Sequence, residues 1–164
     1  MTRELILYAT PVGQLADACR EYFAVVEPTT AQDYPPHITL TGFFCRSDPS
    51  IAIDAARRVI ADAGPVPADA VHVTRLACSD GWVGLEITSP WLEQLTRAFA
   101  DLVPAGPDED TIRCKDWLHL SLAYGRPDLA VHAAEATRRI DPAAPVQWDV
   151  ALWERDDRGV WARH

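Results

Sequence analysis

At 164 residues, 48% hydrophobic and 24% charged, the chain can fill one core but is too short for two independent domains, so residues 1–164 are expected to form a single domain. Its net charge of −9 argues against long nucleic acid as a partner, because such binding rests on neutralising many phosphates; a small ligand is favoured, and the charge leaves room for a local basic pocket. No apolar run approaches the ~20 residues of a membrane span, and Met1 to Pro11 lacks a signal-peptide pattern, so a cytoplasmic monomer without membrane contact is expected.

Residues 3–10 read as a strand ended by Pro11. A helix near 12–26 follows, with Leu15, Cys19, Tyr22, Phe23 and Val26 on one face at helical spacing. Pro28 and the Pro35-Pro36 pair enclose an irregular segment, and a strand over 37–44 comes next. Ser47-Asp48-Pro49 starts a second helix, about 49–63, which stops at Gly64-Pro65. Val71 to Cys78 and Trp82 to Thr88 alternate like the arms of a hairpin, with Ser79-Asp80-Gly81 as the turn. A third helix, about 90–103, has Ser89 as N-cap and Pro90 at its first position. A Pro/Gly/Asp loop over 104–110 leads to a strand near 112–124, a fourth helix near 127–140, and a last hairpin, about 146–161, turning at Asp157-Arg158-Gly159.

The order of elements suggests two similar halves, and helices outside a mostly antiparallel sheet make the fold class α+β. The four cysteines, Cys19, Cys45, Cys78 and Cys114, lack C-x-x-C spacing, which argues against a zinc site; buried free thiols are expected.

Chemistry concentrates in two strand segments. Pro35-Pro36-His37-Ile38-Thr39-Leu40-Thr41-Gly42 lies in the first half and Trp117-Leu118-His119-Leu120-Ser121-Leu122-Ala123-Tyr124 in the second. Each carries a histidine, an aliphatic, a hydroxyl residue and a leucine. Strand side chains alternate faces, so His37 and Thr39 project together while Ile38 and Leu40 enter the core. The same parity groups His119 with Ser121. Two such strands side by side would converge two imidazoles and two hydroxyls on a groove.

That set suits the attack of water on a phosphodiester. One neutral imidazole takes a proton from water and one imidazolium protonates the departing oxygen. Hydroxyls donate to the non-bridging oxygens, where charge gathers in the transition state. Neither a metal nor another cofactor is required.

The segments Pro36-His37-Ile38-Thr39-Leu40 and His119-Leu120-Ser121-Leu122-Ala123-Tyr124-Gly125 resemble the 2H phosphoesterase superfamily, and most of all its cyclic phosphodiesterase branch. The resemblance implies two pseudo-symmetric lobes around a central groove, with His37 and His119 catalytic and Thr39 and Ser121 holding phosphate. It implies a small cyclic-phosphate substrate, a 2′,3′-cyclic nucleotide or ADP-ribose 1″,2″-cyclic phosphate. Other members of the superfamily act on RNA ends with 2′,3′-cyclic phosphates, so an RNA-end phosphodiesterase or 2′-5′ RNA ligase-like enzyme is an alternative, and a nucleotide-binding module without turnover is a further one.

Tyr124 matches a tyrosine that often follows the second motif, yet strict alternation puts it on the core face with Leu122; it reaches the groove only through a twist or bulge. Trp117 shares the parity of His119 and could stack on a base or pack internally. Arg113 and Lys115 share that parity too, as phosphate-attracting groups or as solvated charges at a strand entrance. Trp82, after the Asp80-Gly81 turn, could line the mouth. His72, His132 and His164 lack the motif and are expected at the surface or in structural roles.

Overall fold

The computed structural model describes residues 3–28, 30–79, 81–156 and 159–164. Its strands are β1 Arg3–Val12, β2 Ile38–Thr39, β3 Phe44–Arg46, β4 His72–Ser79, β5 Trp82–Thr88, β6 Leu118–Tyr124, β7 Gln147–Arg155 and β8 Trp161–Arg163. Its helices are α1 Gln14–Val25, α2 Pro49–Ala63, α3 Pro90–Leu102 and α4 Leu129–Arg139, with a 3-10 turn at Thr30–Asp33. The strands form one antiparallel sheet in the order β4-β5-β6-β2-β1-β7-β8, with β3 also on β1. This is the expected α+β architecture. β2 and β6 meet at the centre, where Ile38 pairs with Leu120; β2-β1-β7 on one side answers to β6-β5-β4 on the other.

One face of this sheet is the core. Leu5, Leu7 and Ala9 of β1, Ile38 of β2 and Leu118, Leu120 and Leu122 of β6 join the buried helix residues in a single cluster. α1 packs on β1 and α4, α2 on β7 and α3, and α4 on β4, β5 and β6. The opposite face of the two central strands is left for the groove.

The helix starts follow from their caps. Asp48 Oδ1 accepts from Ser50 N at 3.0 Å and Ser89 Oγ from Leu92 N at 3.1 Å, and each cap is followed by proline, whose absent N–H costs nothing in a first turn.

Three boundaries depart from expectation, each for a visible reason. β1 continues through Pro11 to Val12, with Pro11 paired to Trp148. Leu7 N faces the β2 side, where it donates to Thr41 Oγ1, and Pro11 has the same parity. Pairing with β2 has ended at Ala9 by then, so the proline lacks its N–H where no acceptor waits.

The expected strand over 37–44 is instead β2 and β3 with a break between them. Thr41 Oγ1 takes the Leu7 N–H at 3.0 Å, standing in for a ladder carbonyl, and the register on β1 shifts across it. The strand expected from 112 begins at Leu118, with only an isolated Thr41–Cys114 bridge upstream. The hairpin turns expected at Ser79-Asp80-Gly81 and Asp157-Arg158-Gly159 fall partly outside the described residues.

The four cysteines are free, but only Cys19 is fully buried; Cys45 is partly covered and Cys78 and Cys114 are exposed. The expectation of buried thiols fails for these because they lie outside the apolar faces of their segments. Among the described residues, no helix is long and apolar enough to cross a membrane.

Candidate active site

β2 and β6 carry the two histidine motifs to adjacent positions. Their core-facing residues, Ile38 and Leu120, are fully buried and hold the pair in register, so His37 with Thr39 and His119 with Ser121 project to the opposite face. Both imidazoles are anchored alike. Nδ1 of His37 lies 2.7 Å from Pro35 O, and Nδ1 of His119 lies 3.2 Å from Trp117 O, in each case the carbonyl two residues back. A carbonyl only accepts, so Nδ1 carries the hydrogen and donates. Nε2 is left with a free lone pair when the ring is neutral and with an N–H when it is charged.

The surroundings disfavour charge on both rings. Burial holds His37 below the ordinary value of 6.5, opposed by its bond to Pro35 and assisted by the charge of His119. Burial also lowers His119, opposed by its bond to the Trp117 carbonyl and assisted by the Lys115 ammonium. The electrostatic coupling of the two histidines means that protonating one hinders protonation of the other.

Aromatic rings fix both imidazoles from the side. Tyr8 on β1, paired with Thr39, places its ring 3.9 Å from that of His37. Trp117 stacks on His119 at 4.0 Å, and Trp82 meets the same ring edge-on at 5.3 Å. Tyr8 is only 4% exposed, and burial with Tyr34 nearby pushes its phenol far above the ordinary range, so it stays a neutral O–H.

Trp82 also defines Ser121: its Nε1 donates to Ser121 Oγ at 2.9 Å. With an acceptor position of the oxygen filled by the indole, the serine O–H is free to donate into the groove. Gly84, paired with Ser121, makes this possible. A Cβ there would fall 2.4 Å from Cζ2 of Trp82 and 2.3 Å from Leu120 O. Gly84 thus occupies on β5 the place that Tyr8 holds on β1.

A cavity of about 400 Å³ opens on this face, lined by Tyr8, Tyr34, His37, Thr39, Ser121 and Tyr124, with Arg113 and Lys115 at its wall. Tyr124 arrives there through a bulge. Val83 pairs with Ala123 and Gly84 with Ser121, leaving Leu122 unpaired; Leu122 and Ala123 are both buried and the next side chain is returned to the groove.

Six of the eight residues singled out in the sequence therefore line one cavity: His37, Thr39, Ser121, Tyr124, Arg113 and Lys115. His119 and Trp117 form a stack alongside, coupled to the cavity through His37 and Lys115. Sequence reasoning missed Tyr8 and Tyr34 and gave Trp82 only the mouth, whereas Trp82 holds Ser121. For Tyr8 the available signal was a polar-tipped ring within an otherwise apolar run.

The remaining histidines are elsewhere. His132 is buried with Nδ1 2.8 Å from the Tyr22 hydroxyl, His164 lies 2.9 Å from Glu154 Oε2, and His72 is exposed on β4. Among the described residues, no three His, Cys, Asp or Glu side chains are grouped so as to hold a metal ion.

The profile of the 2′-5′ RNA ligase superfamily matches residues 9–159. The chain is 26% identical over 166 residues to the ecdysteroid-phosphate phosphatase of Bombyx mori, covering 95% of this chain and 25% of that protein. It is 24% identical over 198 residues to the ecdysteroid-phosphate phosphatase of Drosophila melanogaster, covering 95% and 26%. This chain thus spans about a quarter of the length of these relatives. With nearly its whole length matched, the chain belongs to the 2′-5′ RNA ligase superfamily, a group of 2H phosphoesterases.

Proposed function

We propose that this protein hydrolyses a small cyclic phosphodiester, a 2′,3′-cyclic nucleotide or ADP-ribose 1″,2″-cyclic phosphate, by paired-histidine acid–base catalysis. The observation that carries this reading is the matched anchoring of the two imidazoles, each with Nδ1 on a carbonyl and Nε2 free. The cyclic phosphate rests between the motifs, with the Thr39 and Ser121 hydroxyls donating to its non-bridging oxygens. The neutral imidazole removes a proton from water as the water oxygen bonds to phosphorus. The bond from phosphorus to one ribose oxygen breaks, and the imidazolium delivers its proton to that oxygen. Each turnover exchanges the roles of the two rings, and their protons re-equilibrate with solvent. The scheme needs no metal.

The superfamily's name supports a second reading, a 2′-5′ RNA ligase-like enzyme acting on RNA ends. Net charge −9 weighs against a long polyanion and favours the small substrate.

The test is product analysis of both small substrates with purified protein in excess EDTA, beside His37→Ala and His119→Ala. Each substitution should lower the rate by about 10²–10⁴ while the folded near-ultraviolet spectrum is retained. A folded His37→Ala protein with undiminished activity would sink the mechanism.

A further inference from the structure

The two buried tyrosines, Tyr8 and Tyr22, differ in what their hydroxyls do. Tyr22 places its oxygen 2.8 Å from Nδ1 of His132, as a phenol taken out of water is expected to. Tyr8 is 4% exposed, yet its hydroxyl makes no hydrogen bond with any described residue. Nor is that oxygen sealed in. Among the described residues, the side-chain polar atoms both sealed and unpaired are Arg46 Nε, Trp148 Nε1 and Trp153 Nε1. The Tyr8 oxygen is unpaired without being one of them, so it keeps an opening onto the cavity that Tyr8 lines.

The ring behind this hydroxyl is fixed. The His37 imidazole lies 3.9 Å from it, and the Trp153 and Trp161 rings lie 6.5 Å away. Burial, then Tyr34, push the phenol far above its ordinary range, against the opposing charge of Arg155, so the proton stays on and the group can donate. Register sets where it donates. Tyr8 pairs with Thr39, so the two side chains stand next to each other on the groove face while the phenol ring rests on His37. The oxygen therefore opens beside both polar groups of the first motif. The second motif gives the contrast: there the neighbouring donor, Trp82 Nε1, is engaged by Ser121 Oγ at 2.9 Å. Leaving a buried donor without a partner costs stability, and an acceptor on a bound ligand removes that cost.

From this arrangement we infer that Tyr8 is a further catalytic residue, whose hydroxyl donates a hydrogen bond to a non-bridging oxygen of the phosphoryl group held by Thr39 and Ser121. The phenol transfers no proton. It keeps its own and meets the negative charge that gathers on that oxygen in the transition state. The inference rests on the cyclic phosphodiesterase reading, and a binding measurement tests it apart from turnover. Tyr8→Phe keeps the ring against His37 and removes the hydroxyl alone. On adenosine 2′,3′-cyclic phosphate its kcat should fall about 10²-fold, while its urea midpoint should stay level or rise because no internal bond is lost. Tyr22→Phe should show the reverse: it loses the bond to His132, so its urea midpoint should fall and its kcat should not. A fall in kcat of less than about tenfold for Tyr8→Phe would overturn the role. A lowered urea midpoint for Tyr8→Phe would also overturn it, by making the hydroxyl an internal partner. Adenosine 2′-monophosphate is titrated calorimetrically into the same proteins, and its binding should weaken about tenfold in Tyr8→Phe alone. Equal affinities would overturn the contact. Weakened binding in Tyr8→Phe, with no turnover of cyclic phosphate by the unsubstituted protein, would overturn the phosphodiesterase reading and leave the contact standing.

Discussion

Replacing Gly84 by alanine should damage both the fold and the site, by amounts that can be worked from the close approaches around it. The new Cβ would lie 2.3 Å from Leu120 O and 2.4 Å from the Trp82 ring. The carbonyl belongs to β6, locked between β5 and β2, and cannot retreat cheaply; the indole can swing aside. Overpacking of this kind costs about 1–3 kcal/mol. At roughly 2–4 °C per kcal/mol for a chain of this size, Tm should fall by about 2–12 °C. A displaced indole also breaks its 2.9 Å bond to Ser121 Oγ. One hydrogen bond is worth about 1 kcal/mol net, so kcat/KM on a 2′,3′-cyclic nucleotide should fall about fivefold through loss of serine orientation. The assay is a near-ultraviolet melt with steady-state product release, repeated in a Trp82→Ala background. There the activity cost of Gly84→Ala should vanish, because the indole it displaces is already gone, while the clash with Leu120 O keeps part of the stability cost. An unchanged Tm for Gly84→Ala, or an activity loss of the same size in both backgrounds, would refute the reasoning.

The catalytic form proposed above needs one neutral and one protonated imidazole, and both groups are held below 6.5. The singly protonated pair therefore prevails on the acid side of 6.5, and kcat/KM should decline as pH rises through neutrality; a profile still climbing at pH 8 would contradict this. Lys115→Gln removes a charge that lowers His119, so the limb belonging to His119 should move up in pH, and an unmoved profile would separate Lys115 from that ring. The same depression affects stability: between the folded values and 6.5 the unfolded chain binds more protons, so stability falls as pH drops through this window. Urea midpoints across pH 5–7 should flatten in the His37→Ala, His119→Ala double variant. His132→Ala leaves the buried Tyr22 hydroxyl without its partner, whose Nδ1 is 2.8 Å away, and should cost about 2–3 kcal/mol in urea unfolding. Its kcat should be unaffected, since this pair is far from the groove in the contact between α1 and α4.

The duplicated histidine motifs were legible in the sequence because alternation is a property of any strand, and two strands with one pattern announce a shared face. The caps at Asp48 and Ser89 were legible for a similar reason, being local bonds between near neighbours in the chain. Tyr8 was hidden because β1 is a central strand buried along most of its length, so no polar alternation distinguishes its groove face; only the pairing with Thr39 does. Tyr124 was placed on the core side by a parity rule that a single unpaired residue, Leu122, reverses. The break between β2 and β3 turns on the Thr41 hydroxyl replacing a carbonyl from a residue remote in sequence.

The supports of the two motifs are where the halves diverge. Around the centre, β2-β1-β7 and β6-β5-β4 repeat one backbone plan, and both imidazoles hang from a carbonyl two residues back. Opposite Thr39 the plan is filled by a large ring, Tyr8; opposite Ser121 it is filled by the absence of a side chain, Gly84, into whose space Trp82 folds. Only the first hydroxyl is free of an indole donor, and only the second histidine has a lysine acting on it. A repeated backbone with unlike supports gives two histidines that are alike in position but not in charge environment. The mutual repulsion of two imidazolium charges already favours one neutral and one protonated ring, and the unlike supports bias which ring carries the proton.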